Sequence, residues 1–143
     1  MGIVRLHALR DTSKRMDWKL VAALSGFGLA MGMATVFVIP SNLEPAFWLP
    51  IFLVCAFLIA KRAPGRFFVH GLCVSLLNSV WITTTHIALF DRYLANHAQE
   101  AEMMKSMPIQ GPLAMALTGP VVGLVSGLVL GLFAFIASKL VKR

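Results

Sequence analysis

The segment Leu113 to Ser138, "LAMALTGPVVGLVSGLVLGLFAFIAS", runs without a charged side chain. A helix rises 1.5 Å per residue, so a run of this length spans a hydrocarbon core about 30 Å thick. A second uncharged run covers Phe67 to Phe90. A third, Trp18 to Ile39, carries only Lys19 at its edge, and a shorter one, Pro45 to Ala60, contains Pro50. In lipid every backbone N–H and C=O needs a partner within the protein, which leaves helices or closed barrels. Long apolar runs without alternation are helical. Composition agrees: 58% of the 143 residues are hydrophobic and 13% charged, with a mean hydropathy of +0.79. A soluble domain of this size cannot bury so much apolar surface. The expected fold is an all-α membrane protein. It forms one domain over 1–143, with four transmembrane helices at 18–39, 45–60, 67–90 and 113–138.

Charge sets the expected orientation. All but Arg92 and Lys105 of the 13 Lys and Arg lie in three places. These are the tail 1–17 with the adjoining Lys19, the connection "KRAPGR", and the C-terminus. Basic residues stay on the cytoplasmic side of a membrane. Both termini are therefore expected in the cytoplasm, and the short second run must cross. The net charge of +7 then follows from topology and contact with anionic lipid heads, with no nucleic acid partner. The apolar run from Leu20 is too long for the core of a cleaved signal. Cys55 and Cys73 fall near the reducing side at similar depth, where free thiols packed as small apolar groups are expected.

From Leu72 to Met107 there is neither Gly nor Pro. "DRYLANHAQEAEMMKSM" consists largely of good helix formers. The long third helix is expected to continue into an extracytoplasmic helical segment at 91–107, straight or bent near Asp91. Leu94, Ala98, Ala101 and Met104 give that segment a thin apolar stripe, and His97 is expected exposed within it. "PIQGP" then turns the chain back.

Gly119, Gly123, Gly127 and Gly131 share one helix face. Small residues let helix backbones approach in lipid, where the hydrophobic effect contributes little to association. The first span offers two similar stripes: Ala22, Gly26, Ala30 and Ala34, and beside it Ser25, Gly28, Gly32 and Thr35. The fourth span is expected to pack on the first. A homo-oligomer contact or a glycine-lined groove are the alternatives. Pro120 is expected to kink the fourth span and free the Ala116 carbonyl, with Thr118 as a partial substitute donor.

A 100° count splits the polar residues of the third span between two faces. His70, Asn78 and Thr85 fall on one, and Ser75, Ser79, Thr83 and His86 on the other. Asn78, near the midplane, should face protein. His86 lies about a turn inside the outer interface, at the depth of Thr35 and Thr118. An ionisable group within a membrane is a functional candidate by default. The candidate polar site is His86, Thr83, Asn78, Thr118 and Pro120; an interfacial, solvated His86 is the alternative. His97, Met103, Met104, Met107 and Met115 are ligand types suited to Cu(I). Adjacent Met103 and Met104 point apart on a helix, so soft packing is expected and no metal site. No acidic residue lies within a span, and no catalytic triad, paired carboxylates or phosphate loop is present. Neither catalytic residues nor a cofactor are expected.

"LFDRYL", "MPIQGP" and "TGPVVGLVSGLVLGL", set in this order of spans, resemble in layout uncharacterised four-span bacterial membrane families classed as domains of unknown function. The resemblance implies a bacterial inner membrane and supplies no activity. The leading expectation is a non-enzymatic protein acting through Gly-rich helix packing, as an oligomer or as partner of another membrane protein. The alternative is a small transporter or channel with an outer-leaflet polar site around His86 and Asn78.

Overall fold

A computed structural model describes residues 15–142 of the chain. Among them all regular structure is helical: α1 (Trp18–Phe37), α2 (Glu44–Arg62), α3 (Phe67–Ala88), α4 (Phe90–Asn96), α5 (Ala98–Lys105) and α6 (Gly111–Leu140). The expected spans correspond to α1, α2, α3 and α6, each long and apolar enough to cross a membrane. Most of the basic tail 1–17, and Arg143, lie outside the described residues. The second span is longer than its apolar run, at 19 residues, and Pro50 does not break it. Pro45 sits in its first turn, where no backbone N–H is needed. Large apolar side chains such as Leu53, Val121 and Val125 point outward, while Ser25, His70, Ser75 and Asn78 are buried. This inverts the arrangement of a soluble domain and suits a lipid surround.

The helices form a ring in the order α1, α3, α6, α2. The most extensive contact is α3 with α6, followed by α1 with α3 and then α2 with α6. The expected docking of the fourth span on the first is not found: α1 and α6 make no extended contact. The glycine face of α6 lies instead on α3, and α1 takes the opposite face of α3. α1 with α2, and α2 with α3, touch only lightly although they are neighbours in sequence. The reason is side-chain size. α2 contains no glycine, and its buried residues, Cys55, Ala56, Ile59 and Ala60, are confined to its last turns. There it joins the main core with Val21, Leu24, Val74, Leu130 and Ala134. Its other half carries Trp48 and Phe52, which pack edge to face on each other and line a cavity beside α3. Both cysteines are free thiols, with Cys55 in the core.

The third span does not continue as one long helix. It stops at Ala88, bends at Leu89 (φ −116°, ψ 37°), and bends again at His97 (φ −130°, ψ 74°). The segment 90–105 is thus two short helices. Hydrogen bonds carry through the first bend, from Leu89 N–H to the Thr85 carbonyl and from Tyr93 N–H to the Leu89 carbonyl. Asn96 Nδ2 donates to the Val36 carbonyl at 2.6 Å and ties α4 back to the end of α1. α6 runs through Pro120 as a single helix of 30 residues. Thr118 Oγ1 donates to the Ala114 carbonyl at 2.9 Å and so does not serve Ala116.

Candidate functional site

The polar residues of α3 divide between its two helix neighbours. Toward α1, His70 uses both ring nitrogens. Nε2 accepts from Asp17 N–H at 2.9 Å, and Nδ1–H donates to the Arg66 carbonyl at 3.0 Å. This histidine joins the starts of α1 and α3 and has nothing left for a ligand. Asn78 is 3% exposed, and its Oδ1 accepts from Gly28 N–H at 3.0 Å. Its Nδ2 is buried without a partner. Thr35 Oγ1 on α1 lies 2.9 Å from the Met31 carbonyl oxygen and 2.8 Å from His86 Nε2, a hydrogen bond whose direction follows the histidine tautomer. Toward α6, Ser75 Oγ lies 2.8 Å from Ser126 Oγ.

All six glycines proposed for helix packing are in contacts within the chain. A Cβ on Gly119 would meet Thr83, on Gly123 Ser79, on Gly127 Leu72, and on Gly131 the Phe68 carbonyl. A Cβ on Gly28 would lie 2.5 Å from Asn78 Cα, and one on Gly32 3.2 Å from Ile82 Cα. The other small stripe of α1 behaves differently. Ala22, Gly26 and Ala30 are exposed, and a Cβ on Gly26 would meet nothing within 4 Å.

Two cavities follow one another along the α3–α6 seam. The first, about 410 Å³, lies at the α4–α5 end between α3, α5 and α6. His86, Thr83, Thr118 and Gly119 line it, with Tyr93, Glu100 and Met103, Met104, Met107 and Met115. The second, about 360 Å³, lies between α2, α3 and α6, lined by Glu44, Trp48, Phe52, Ser75, Asn78 and Ser126 among others. Ser79, Ile82 and Val122 line both, so the cavities adjoin. Toward the chain termini lies the core, where Ile59, Val74 and Leu130 are fully buried.

Of the expected polar site, His86, Thr83 and Thr118 share the first cavity, and Asn78 belongs to the second. Pro120 lines neither. Met103 and Met104, expected to diverge, both line the first. Among the described residues no group of three His, Cys, Asp or Glu is placed to hold a metal ion.

The largest departure concerns His97. It is 2% exposed, and its ring stacks on Tyr93, which stacks in turn on His86. The ring centroids are 4.1 Å and 4.0 Å apart. His97 Nδ1–H donates to the Tyr93 carbonyl at 2.8 Å, and Nε2 faces Glu44 Oε1 at 3.5 Å. Burial, reinforced by the nearby Glu100 and Glu44 charges, pushes the Tyr93 hydroxyl above its usual range, so it stays protonated. Glu100 Oε2 is buried without a partner. The seven- and four-residue steps from His86 to Tyr93 to His97 were the available signal for this stack. Comparison of the chain with protein-family models, with curated proteins and with solved structures finds no match.

Proposed function

We propose that the chain is a small, non-enzymatic, multi-pass protein of a bacterial inner membrane, with both termini cytoplasmic. In this reading it is a transporter whose outer vestibule takes a small ligand from the extracytoplasmic side. One observation carries this: the two adjoining cavities hold polar side chains at successive turns of α3, from His86 through Thr83 and Ser79 to Asn78 and Ser75. Intramembrane polar groups of this kind mark substrate paths. The apolar core around Ile59, Val74 and Leu130 closes the path toward the termini, as an outward-open state requires. Orientation rests on Lys61, Arg62, Arg66, Lys139 and Lys142, which sit at the closed end. α2, held tightly only at that end, is the wall whose displacement would pass the ligand onward.

Thiol accessibility tests the vestibule. In a chain with Cys55→Ala and Cys73→Ala, Ser79→Cys should react with an impermeant charged methanethiosulfonate added outside. Val74→Cys should not. An unreactive Ser79→Cys beside a reactive Gln99→Cys would end the proposal.

A second reading keeps self-association but moves it to another face. The glycine face of α6 is covered by α3, whereas Ala22, Gly26 and Ala30 of α1 form a small-residue stripe facing outward. Such stripes serve helix pairing in lipid. Gly26→Leu should then abolish any dimer seen by crosslinking in membranes. A dimer that survives it does not use this stripe.

A further inference from the structure

Building on the vestibule reading, we infer that its ligand is an organic cation that donates hydrogen bonds. The assignment starts from the hydroxyl hydrogens of Ser75, Ser79, Thr118 and Ser126 along the two cavities. Thr118 donates its hydroxyl hydrogen to the Ala114 carbonyl at 2.9 Å, and Ser79 donates to the Leu76 carbonyl at 2.8 Å. Ser126 donates to the Val122 carbonyl at 2.6 Å, so the hydrogen between Ser75 and Ser126 is that of Ser75. A hydroxyl has one hydrogen and two lone pairs. These four hydroxyls therefore offer the cavities acceptor oxygens alone. His86 Nε2 is taken up by Thr35 Oγ1.

The remaining lining points the same way. Thioethers are weak acceptors that adapt to a ligand's shape. Glu100 contributes a carboxylate oxygen that is buried and unpartnered. Among the described residues no Lys or Arg lines either cavity. An anionic ligand would find Glu100 opposed to it and, among the described residues, only neutral donors, from Tyr93 and Thr83 in the first cavity and Trp48 and Asn78 in the second. A neutral carbonyl compound would leave the Glu100 oxygen unpaired, and a buried unpaired carboxylate is costly. An ammonium or guanidinium group satisfies the carboxylate and the hydroxyl lone pairs together. Size argues against a bare metal ion, since about 410 Å³ lies within the range of sites for whole organic ligands. Asn78 Nδ2 adds detail. It is a buried, unpartnered donor in the inner cavity, suited to an acceptor atom at the end of the ligand remote from its charge.

The test uses the full chain in phosphatidylcholine nanodiscs, with ethidium as the probe: an organic cation that carries two amino groups. Fluorescence anisotropy, corrected with empty discs, should show saturable binding. Glu100→Gln should raise Kd at least tenfold. Glu102→Gln should leave it within twofold, because Glu102 is exposed and paired with Lys105 outside the cavities. Met104→Trp, which fills the outer cavity, should abolish binding. Ethidium binding that ignores Glu100→Gln overturns the cation assignment. So does tighter Met104-sensitive binding of the anion 8-anilinonaphthalene-1-sulfonate. In either case a reactive Ser79→Cys keeps the vestibule, whereas an unreactive one removes both readings.

Discussion

Gly28 and Gly26 lie two residues apart on one helix and should respond in opposite ways to the same methyl group. On Gly28 it would fall 2.5 Å from Asn78 Cα and 2.7 Å from its Oδ1. The first of these atoms is backbone of a packed helix and cannot turn aside, so Gly28→Ala should cost about 1–3 kcal/mol by overpacking. On Gly26 it would meet nothing within 4 Å, and Gly26→Ala should be neutral or stabilise by up to about 1 kcal/mol through helix propensity. Thermal unfolding in detergent separates the two, and equal effects would mean that α1 does not pack on α3 through Gly28. The sorting of polar residues at this scale was legible in the sequence. A helical count put His70, Asn78 and Thr85 together, and these meet α1; it put Ser75, Ser79, Thr83 and His86 together, of which the first three meet α6 while His86 Nε2 turns to Thr35 of α1. The burial of His97 was not legible. It depends on bends at Leu89 and at His97 itself, and neither position carries the Gly or Pro that would mark one.

The glycine stripe of α6 shows how far an element can be read without its partner. Its spacing announces a close helix contact, but both α1 and α3 offer small faces. What selects α3 is Gly71 opposite Gly131: a Cβ on Gly71 would lie 2.7 Å from Gly131 Cα. The two backbones nearly touch there, while Gly28 and Gly32 of α1 are engaged by the other side of α3. The four glycines of α6 should therefore differ in importance. At Gly131 an added Cβ meets the Phe68 carbonyl at 2.8 Å, whereas at Gly119 it meets the Thr83 side chain, which can rotate. Gly131→Ala should lower the unfolding temperature clearly more than Gly119→Ala, with the reverse order excluding this packing. The loose seating of α2 follows from another legible feature, its lack of glycine. The width of the space that Trp48 and Phe52 leave beside Ser75 and Asn78 does not, because it depends on three helices together.

For the molecule as a whole, three of the four spans came from apolar length and the short second one from the sorting of basic residues, and the structure supplies a helix for each. The ring order of those helices did not come from connection length. Tight contact in lipid is decided by which faces are small, and short loops only bring helices near one another. The proposed orientation makes a direct prediction. In the cysteine-free background, Gln99→Cys on α5 should react with an impermeant thiol reagent from the extracytoplasmic side, and Lys61→Cys at the end of α2 only after the membrane is opened. The opposite pattern would invert the protein in the membrane and turn the vestibule toward the cytoplasm.

The pairing of α3 with α6 has a consequence for biogenesis. A chain enters the membrane from its N-terminus onward, so α3 is in place before α6 exists. Through that interval Gly71 presents bare backbone to lipid, and Ser75 is without Ser126, its partner in the finished bundle. Ser79 can wait, because its hydrogen is bonded to the carbonyl of Leu76 within the same helix. α1 has already covered the other flank, where Asn78 Oδ1 holds Gly28 N–H. The first three spans thus make a half-built bundle with one polar side open, and arrival of the final helix is the step that commits it. A chain cut short before Gly111 would keep that side turned to the bilayer and be marked as unfinished by its own hydroxyl groups.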